Sequence, residues 1–281
     1  MSIRMSVGRC CCVSGCANHT CWYDIFDSYT TGDDIVEIPL SGLNSASKPY
    51  RARPVGGPGG AYTPDTDAVV TAGDLLEITK FNPTGQTVFG ISKGWGVGSQ
   101  SDLHGGTYSD KSVFGWTIDS WDRDGDTTQN ILMGVRGYYQ SSIYIVENGS
   151  SFTPYFEITR QSNGVQQYIP MPSMSHPSGL IAKFEIELYD GVDEGAIGGV
   201  SGATKSSFEW KVKIDDLIVL ESMTGATRNY EKTLLGTTDW CGLPASFIDV
   251  NNNSTASDPT LTLSEWRISI AGDDGCVPAI P

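Results

Sequence analysis

The sequence predicts an all-β fold: a two-sheet antiparallel β-sandwich preceded by a cysteine-rich arm. Short runs rich in β-branched and aromatic residues alternate with clusters of Gly, Asn, Asp and Ser, which reads as strands joined by turns rather than as βαβ units. Helical periodicity is nearly absent. The run FEWKVKIDDLIVLES (208–222) has the pattern of a hairpin. In it Phe208, Trp210, Val212 and Ile214 alternate with polar residues, Asp215-Asp216 makes the turn, and an apolar strand returns. A period of two puts those four residues on one buried face and turns Lys211 and Lys213 toward water.

In chain order, the predicted strands are WYDIFDSY (22–29), DLLEITKF (74–81), TVFGI (87–91), SVFGWTID (112–119), NILMGVRGYY (130–139) and SIYIVE (142–147). They continue with YFEITR (155–160), VQQYIPM (165–171), IAKFEIELYD (181–190), FEWKVKI (208–214), DLIVLES (216–222) and LSEWRISI (263–270). Single sandwiches commonly reach roughly 200–250 residues. The economical division is therefore an arm at 1–21 and one domain at 22–281. Within the domain, PVGGPGGAYTPDTD (54–67) forms a long surface loop or a hinge.

The chain has 33 acidic against 18 basic side chains, a net charge of −15. Phosphate backbones and anionic lipid are repelled by such a surface, so nucleic acid and membranes are poor partners. No run approaches the roughly 18–20 consecutive apolar residues of a membrane span. The opening MSIRMSVGR has no apolar core of an export signal. Yet the composition is rich in Gly, Ser, Thr and Asn, with sequons at Asn18, Asn148, Asn252 and Asn253, as in surface proteins. A virion protein, released by lysis without a signal, reconciles the two, and so does a mature extracellular chain. The expected location is extracellular or on a virion surface.

The opening IFDSY, the strand FEIEL, the hairpin W-x-V-x-I-D-D-x-x-V and the closing EWRISI together resemble the concanavalin A-like, laminin-G-like jelly-roll superfamily. The resemblance covers roughly residues 22–271 and rests on strand order and spacing. It implies that the first and last strands pair side by side. Members bind glycans or proteins, build extracellular structures or, in one branch, cleave β-glucans.

The glucanase branch carries a pattern similar to E-x-D-x-x-E. KFEIELYDG offers Glu185, Glu187 and Asp190 at that spacing, and a retaining mechanism needs two carboxyl groups about 5–5.5 Å apart. Asp190 is one carbon shorter than the family's acid, and PSGLIAKF lacks the preceding aromatic platform. The plainer reading is a sandwich strand whose Glu185 and Glu187 face outward, alternating with Phe184, Ile186 and Leu188. Asp119, Asp122, Asp124 and Asp126 crowd the stretch IDSWDRDGDTTQN. Hard oxygen ligands at that density suit Ca²⁺, although the spacing is not an EF-hand and an acidic turn without an ion explains the same residues. Trp95 lies between glycines, with His104 and Tyr108 nearby. These three form a candidate glycan-stacking loop, or Trp95 folds back as a core plug.

Five of the seven cysteines lie in CCCVSGCANHTC (10–21): Cys10, Cys11, Cys12, Cys16 and Cys21. A zinc site from Cys12, Cys16, His19 and Cys21 lacks the paired C-x₂-C spacing. Disulfides fit better, and the resemblance would bring Cys276 back beside Cys21, with Cys241 in a loop. Seven is odd and vicinal disulfides are strained, so bonds between subunits are an option. The resulting expectation is a non-enzymatic structural or adhesion protein, a homo-oligomer or polymer with glycan-binding loops. The alternatives are a β-glucanase-type glycoside hydrolase using Glu185 and Asp190, or a soluble lectin module.

Overall fold

The computed structural model describes residues 20–33, 35–37, 50–52, 68–79, 87–94, 111–122, 130–148, 151–175, 182–236, 245–252 and 260–270. Their strands are β1 (Thr20–Asp24), β2 (Val36–Glu37), β3 (Tyr50–Ala52), β4 (Ala68–Val70), β5 (Leu76–Thr79), β6 (Thr87–Gly94), β7 (Ser112–Asp122), β8 (Asn130–Arg136), β9 (Gln140–Asn148) and β10 (Ser151–Thr159). They continue with β11 (Gln166–Pro170), β12 (Met174–Ser175), β13 (Ala182–Ala196), β14 (Thr204–Ile214), β15 (Leu217–Glu221), β16 (Met223–Thr224), β17 (Thr227–Arg228), β18 (Thr233–Gly236), β19 (Ala245–Asn252) and β20 (Thr260–Ile270). No helix among the described residues is long and apolar enough to cross a membrane.

Two sheets make the sandwich. The first has the order β15-β14-β13-β7-β20-β5-β4, with β1 on β20 and β18 on β14. The second runs β11-β10-β9-β8-β19-β6-β3-β2, with β12 on β10. Apart from the short β2–β3 contact, the pairings are antiparallel. The inner faces meet in one apolar cluster, which includes Trp116, Trp210 and Trp266 from the first sheet and Ile131, Ile143 and Phe156 from the second. Phe156 and Trp210 close the gap between the sheets, with ring centroids 4.7 Å apart. Trp266 also donates its indole N–H to Ser246 Oγ at 2.9 Å, so a large apolar ring enters the core without a buried orphan donor.

Each predicted run contains a strand, and the first and last strands do pair, from Thr20↔Ile270 to Asp24↔Trp266. WYDIFDSY, however, stops being a strand at Asp24. The buried Asp24 carboxylate accepts from the Phe26 amide at 2.8 Å and from the Tyr29 and Tyr50 hydroxyls at 2.9 Å. That knot turns the chain at Phe26, whose backbone is left-handed at φ 62°.

The predicted hairpin is present. Phe208, Trp210, Val212 and Ile214 are buried. Asp215 and Asp216 both take positive φ, 50° and 65°, as a two-residue turn matched to strand twist requires. Lys213 differs from expectation. Its ammonium is drawn onto carboxylates of the neighbouring strand instead of into water.

Candidate functional site

Glu185 and Glu187 alternate with core residues, as the pattern requires, and so project from the outer face of the first sheet. They are nonetheless buried, at 5% and 4% exposure, and each is neutralised. Arg267 Nη2 donates to Glu185 Oε2. Lys213 Nζ lies 3.2 Å from Glu185 Oε1 and 2.5 Å from Glu187 Oε1, and Lys111 Nζ lies 2.6 Å from that same Glu187 oxygen. The register explains the Arg267 contact. Glu185 faces Gly115 on β7, and Gly115 faces Arg267 on β20. The guanidinium crosses β7 over Gly115, where a Cβ would be in van der Waals contact with Arg267 Nε at 3.4 Å.

Burial pushes the Glu187 pKa up. Hydrogen bonds and charge from Lys111 and Lys213 outweigh that effect and hold it below the ordinary carboxylate value, the opposite of what a general acid needs. Asp190 is exposed, with φ 51°. It stands in a bulge where the pairing with β14 jumps from Tyr189↔Glu209 to Val192↔Ser207.

The other predicted sites are covered only in part. Asp119 and Asp122 lie on β7, while Asp124 and Asp126 lie outside the described residues. So do Trp95, His104 and Tyr108, and the cysteines Cys10, Cys11, Cys12, Cys16, Cys241 and Cys276. Cys21 stands on β1 at the register position of Ser269.

The outer face of the second sheet holds a constellation that the sequence reading passed over. Register partners run Phe247–Gly134–Ser142–Glu157–Tyr168 across five strands. A neighbouring row runs Leu132–Tyr144–Tyr155. Glu157 alternates with the core residues Phe156 and Ile158 and is 1% exposed. Its Oε2 accepts from Gln140 Nε2 at 2.7 Å and from Ser142 Oγ at 2.8 Å. Its Oε1 is buried and among the described residues has no hydrogen-bond partner of normal geometry, although the Tyr168 hydroxyl comes close enough to Glu157 for that contact to help raise the tyrosine's pKa.

Tyr144 on β9 and Tyr168 on β11 flank β10, and their rings come within 6.3 Å of each other across it. Burial, and next the charge of Glu157, raise the pKa of both hydroxyls, so both stay protonated donors. Tyr168 is 54% exposed. Gly134 lets β8 and β9 close up beside this row, because a Cβ there would collide with the Ser141 carbonyl and with Ser142. A signal was present in the sequence: one acid in an apolar strand, YFEITR, with a tyrosine in each flanking run. The arrangement presents an acceptor at the base of an aromatic surface, a polar-plus-ring combination that suits a small polar ring compound.

No family model matches the chain, and no curated protein does. Solved structures do. A laminarinase from Rhodothermus marinus is similar over 90% of this chain and 97% of its own, at 11% identity and TM-score 0.45. An alginate lyase from Pseudomonas aeruginosa is similar over 72% of this chain and 85% of its own, at 10% identity and TM-score 0.40. The carbohydrate recognition domain of Emp47p is similar over 83% of this chain and 95% of its own, at 9% identity and TM-score 0.37. These matches correct the expectation of a non-enzymatic protein. A laminarinase and an alginate lyase stand among the chain's structural neighbours.

Proposed function

We propose that this chain is a carbohydrate-binding β-sandwich whose sugar-contacting surface is the outer face of the second sheet. The observation that carries the reading is Glu157, fully buried with one oxygen unpartnered among the described residues, under the half-exposed Tyr168 and beside Tyr144. A buried acceptor without a donor costs about 1–3 kcal/mol, a cost that a ligand's donor would remove. The tyrosine rings offer the apolar surface that the face of a sugar ring requires. In the same reading the setting is extracellular or virion-surface, and copies associate through the thiol-rich arm.

Calorimetric titration with panels of soluble oligosaccharides tests the binding. Saturable heat that falls at least tenfold in affinity in Tyr168→Ala and Glu157→Ala supports the site. Unchanged affinity in both variants removes it. Following the same mixtures for new reducing ends shows whether a bound glycan is also cut.

A further inference from the structure

Four glutamates are buried among the described residues: Glu157, Glu185, Glu187 and Glu209. Three have a cation. Glu185 has Arg267 and Lys213, Glu187 has Lys213 and Lys111, and Glu209 has Arg228 at 2.6 Å with Lys232 at 3.8 Å. Glu157 is the most deeply buried of the four, yet among the described residues no lysine or arginine pairs with it. Gln140 and Ser142 satisfy only one of its oxygens, and among the described residues the other has no partner of normal hydrogen-bond geometry, with the Tyr168 hydroxyl its near neighbour. A buried carboxylate is stable when it is both hydrogen-bonded and paired, and here half of that arrangement is missing.

We infer that the glycan bound at this face carries a free ammonium group, as an amino sugar does, and that Glu157 is its counterion. This inference rests on the carbohydrate-binding reading above. The tyrosine pair fits the same ligand. A cation within about 6 Å of an aromatic centroid is attracted by the ring face, and the Tyr144 and Tyr168 rings stand on either side of β10, which carries Glu157. Tyr168, on the edge strand β11 and half exposed, turns aside to admit the ligand. The net charge of −15 draws cationic ligands toward the surface.

The test compares glucosamine oligomers with N-acetylglucosamine oligomers of equal length, by calorimetry at pH 5.5 and moderate salt. The two share a backbone and differ in the charge at one nitrogen. Hydrogen bonds to charged groups are worth about 1.5–3 kcal/mol, so the free amine should bind on the order of 10–100-fold more tightly. Glu157→Gln should bring that ratio close to one while leaving the acetylated ligand within about threefold. Asp27→Asn removes the same net charge from an exposed site and should leave the ratio unchanged. Equal binding of the two oligomers to the native chain, or a ratio that Asp27→Asn lowers as much as Glu157→Gln, overturns the inference and leaves the carbohydrate reading standing. If no oligosaccharide binds, charged or neutral, both fail.

Discussion

The two outer faces of the sandwich solve one problem in different ways. Each buries glutamate on the side of a sheet away from the shared core. On the first sheet Glu185 and Glu187 sit in a lattice of three cations, one of which, Arg267, reaches across Gly115 on β7. On the second sheet Glu157 is held by two neutral donors and faces tyrosines. The first arrangement is closed, with charge matched inside the chain, and closed ion pairs are structure. The second is open, and a buried carboxyl group with no cation among the described residues is where a ligand contributes most. Position within the alternating pattern is the same for both sets, so the difference lies in which residues the neighbouring strands bring alongside.

The comparison breaks most visibly at Arg267. Arg267→Met strands Glu185 with Lys213 alone, and removing one partner of a buried pair costs about 3–5 kcal/mol. Denaturant titration should show the midpoint fall accordingly. A loss under 1 kcal/mol would mean that the lattice is exposed to water and the contrast between the faces is weak. Next in size, Gly134→Ala drives a methyl into Ser142 and the Ser141 carbonyl. Overpacking of this kind costs about 1–3 kcal/mol and should displace Ser142 from Glu157, weakening glycan binding as well as stability. Gly115→Ala has as its nearest neighbours the Arg267 guanidinium, at 3.4–3.5 Å, and a backbone oxygen at 3.6 Å, all ordinary contacts. It should cost less than Gly134→Ala in the same titration.

Acid sharpens the contrast further. Glu187 and Glu209 have pKa values lowered in the fold, because Lys and Arg partners outweigh burial. A lowered native value means the stabilisation is present above the unfolded carboxylate pKa, near 4.5, and is lost as pH falls through the native one. Thermal midpoints should therefore drop as pH falls below about 4.5, near the unfolded value. The slope should be shallower in Glu187→Gln, whose unfolded state has one fewer proton to take up. An identical slope in that variant would remove Glu187 from the account.

Much of the fold was legible in the sequence because a period of two is a local property. Phe208, Trp210, Val212 and Ile214 announce their face without knowledge of any other strand, and the Asp215-Asp216 turn needs only residues that tolerate positive φ. β19 was not legible. ASFIDVNN lies between GLP and an Asn run, so its turn-like ends conceal a central strand of the second sheet. The sites were harder still. Glu185, Glu187 and Asp190 have the spacing of a carboxylate motif, but spacing cannot show that Arg267 lies two strands away, across Gly115. Glu157 gave the converse error. Its strand looks ordinary, and its significance comes from Gln140, Ser142 and Tyr168, which only strand pairing brings together.

The smallest expected effect on stability is also the one that discriminates most. Glu157→Gln keeps the acceptor that Gln140 and Ser142 use and replaces the unpartnered oxygen with an amide nitrogen. If Glu157 has no cation of its own, deleting its charge removes no ion pair, and stability should change by no more than about 1 kcal/mol in either direction. Glu185→Gln, by contrast, leaves Arg267 buried without its anion and should cost several times as much. Measured side by side in urea, the two variants compare the faces directly. Equal large losses would show that a cation from elsewhere in the chain already serves Glu157, and the second face would then be as closed as the first.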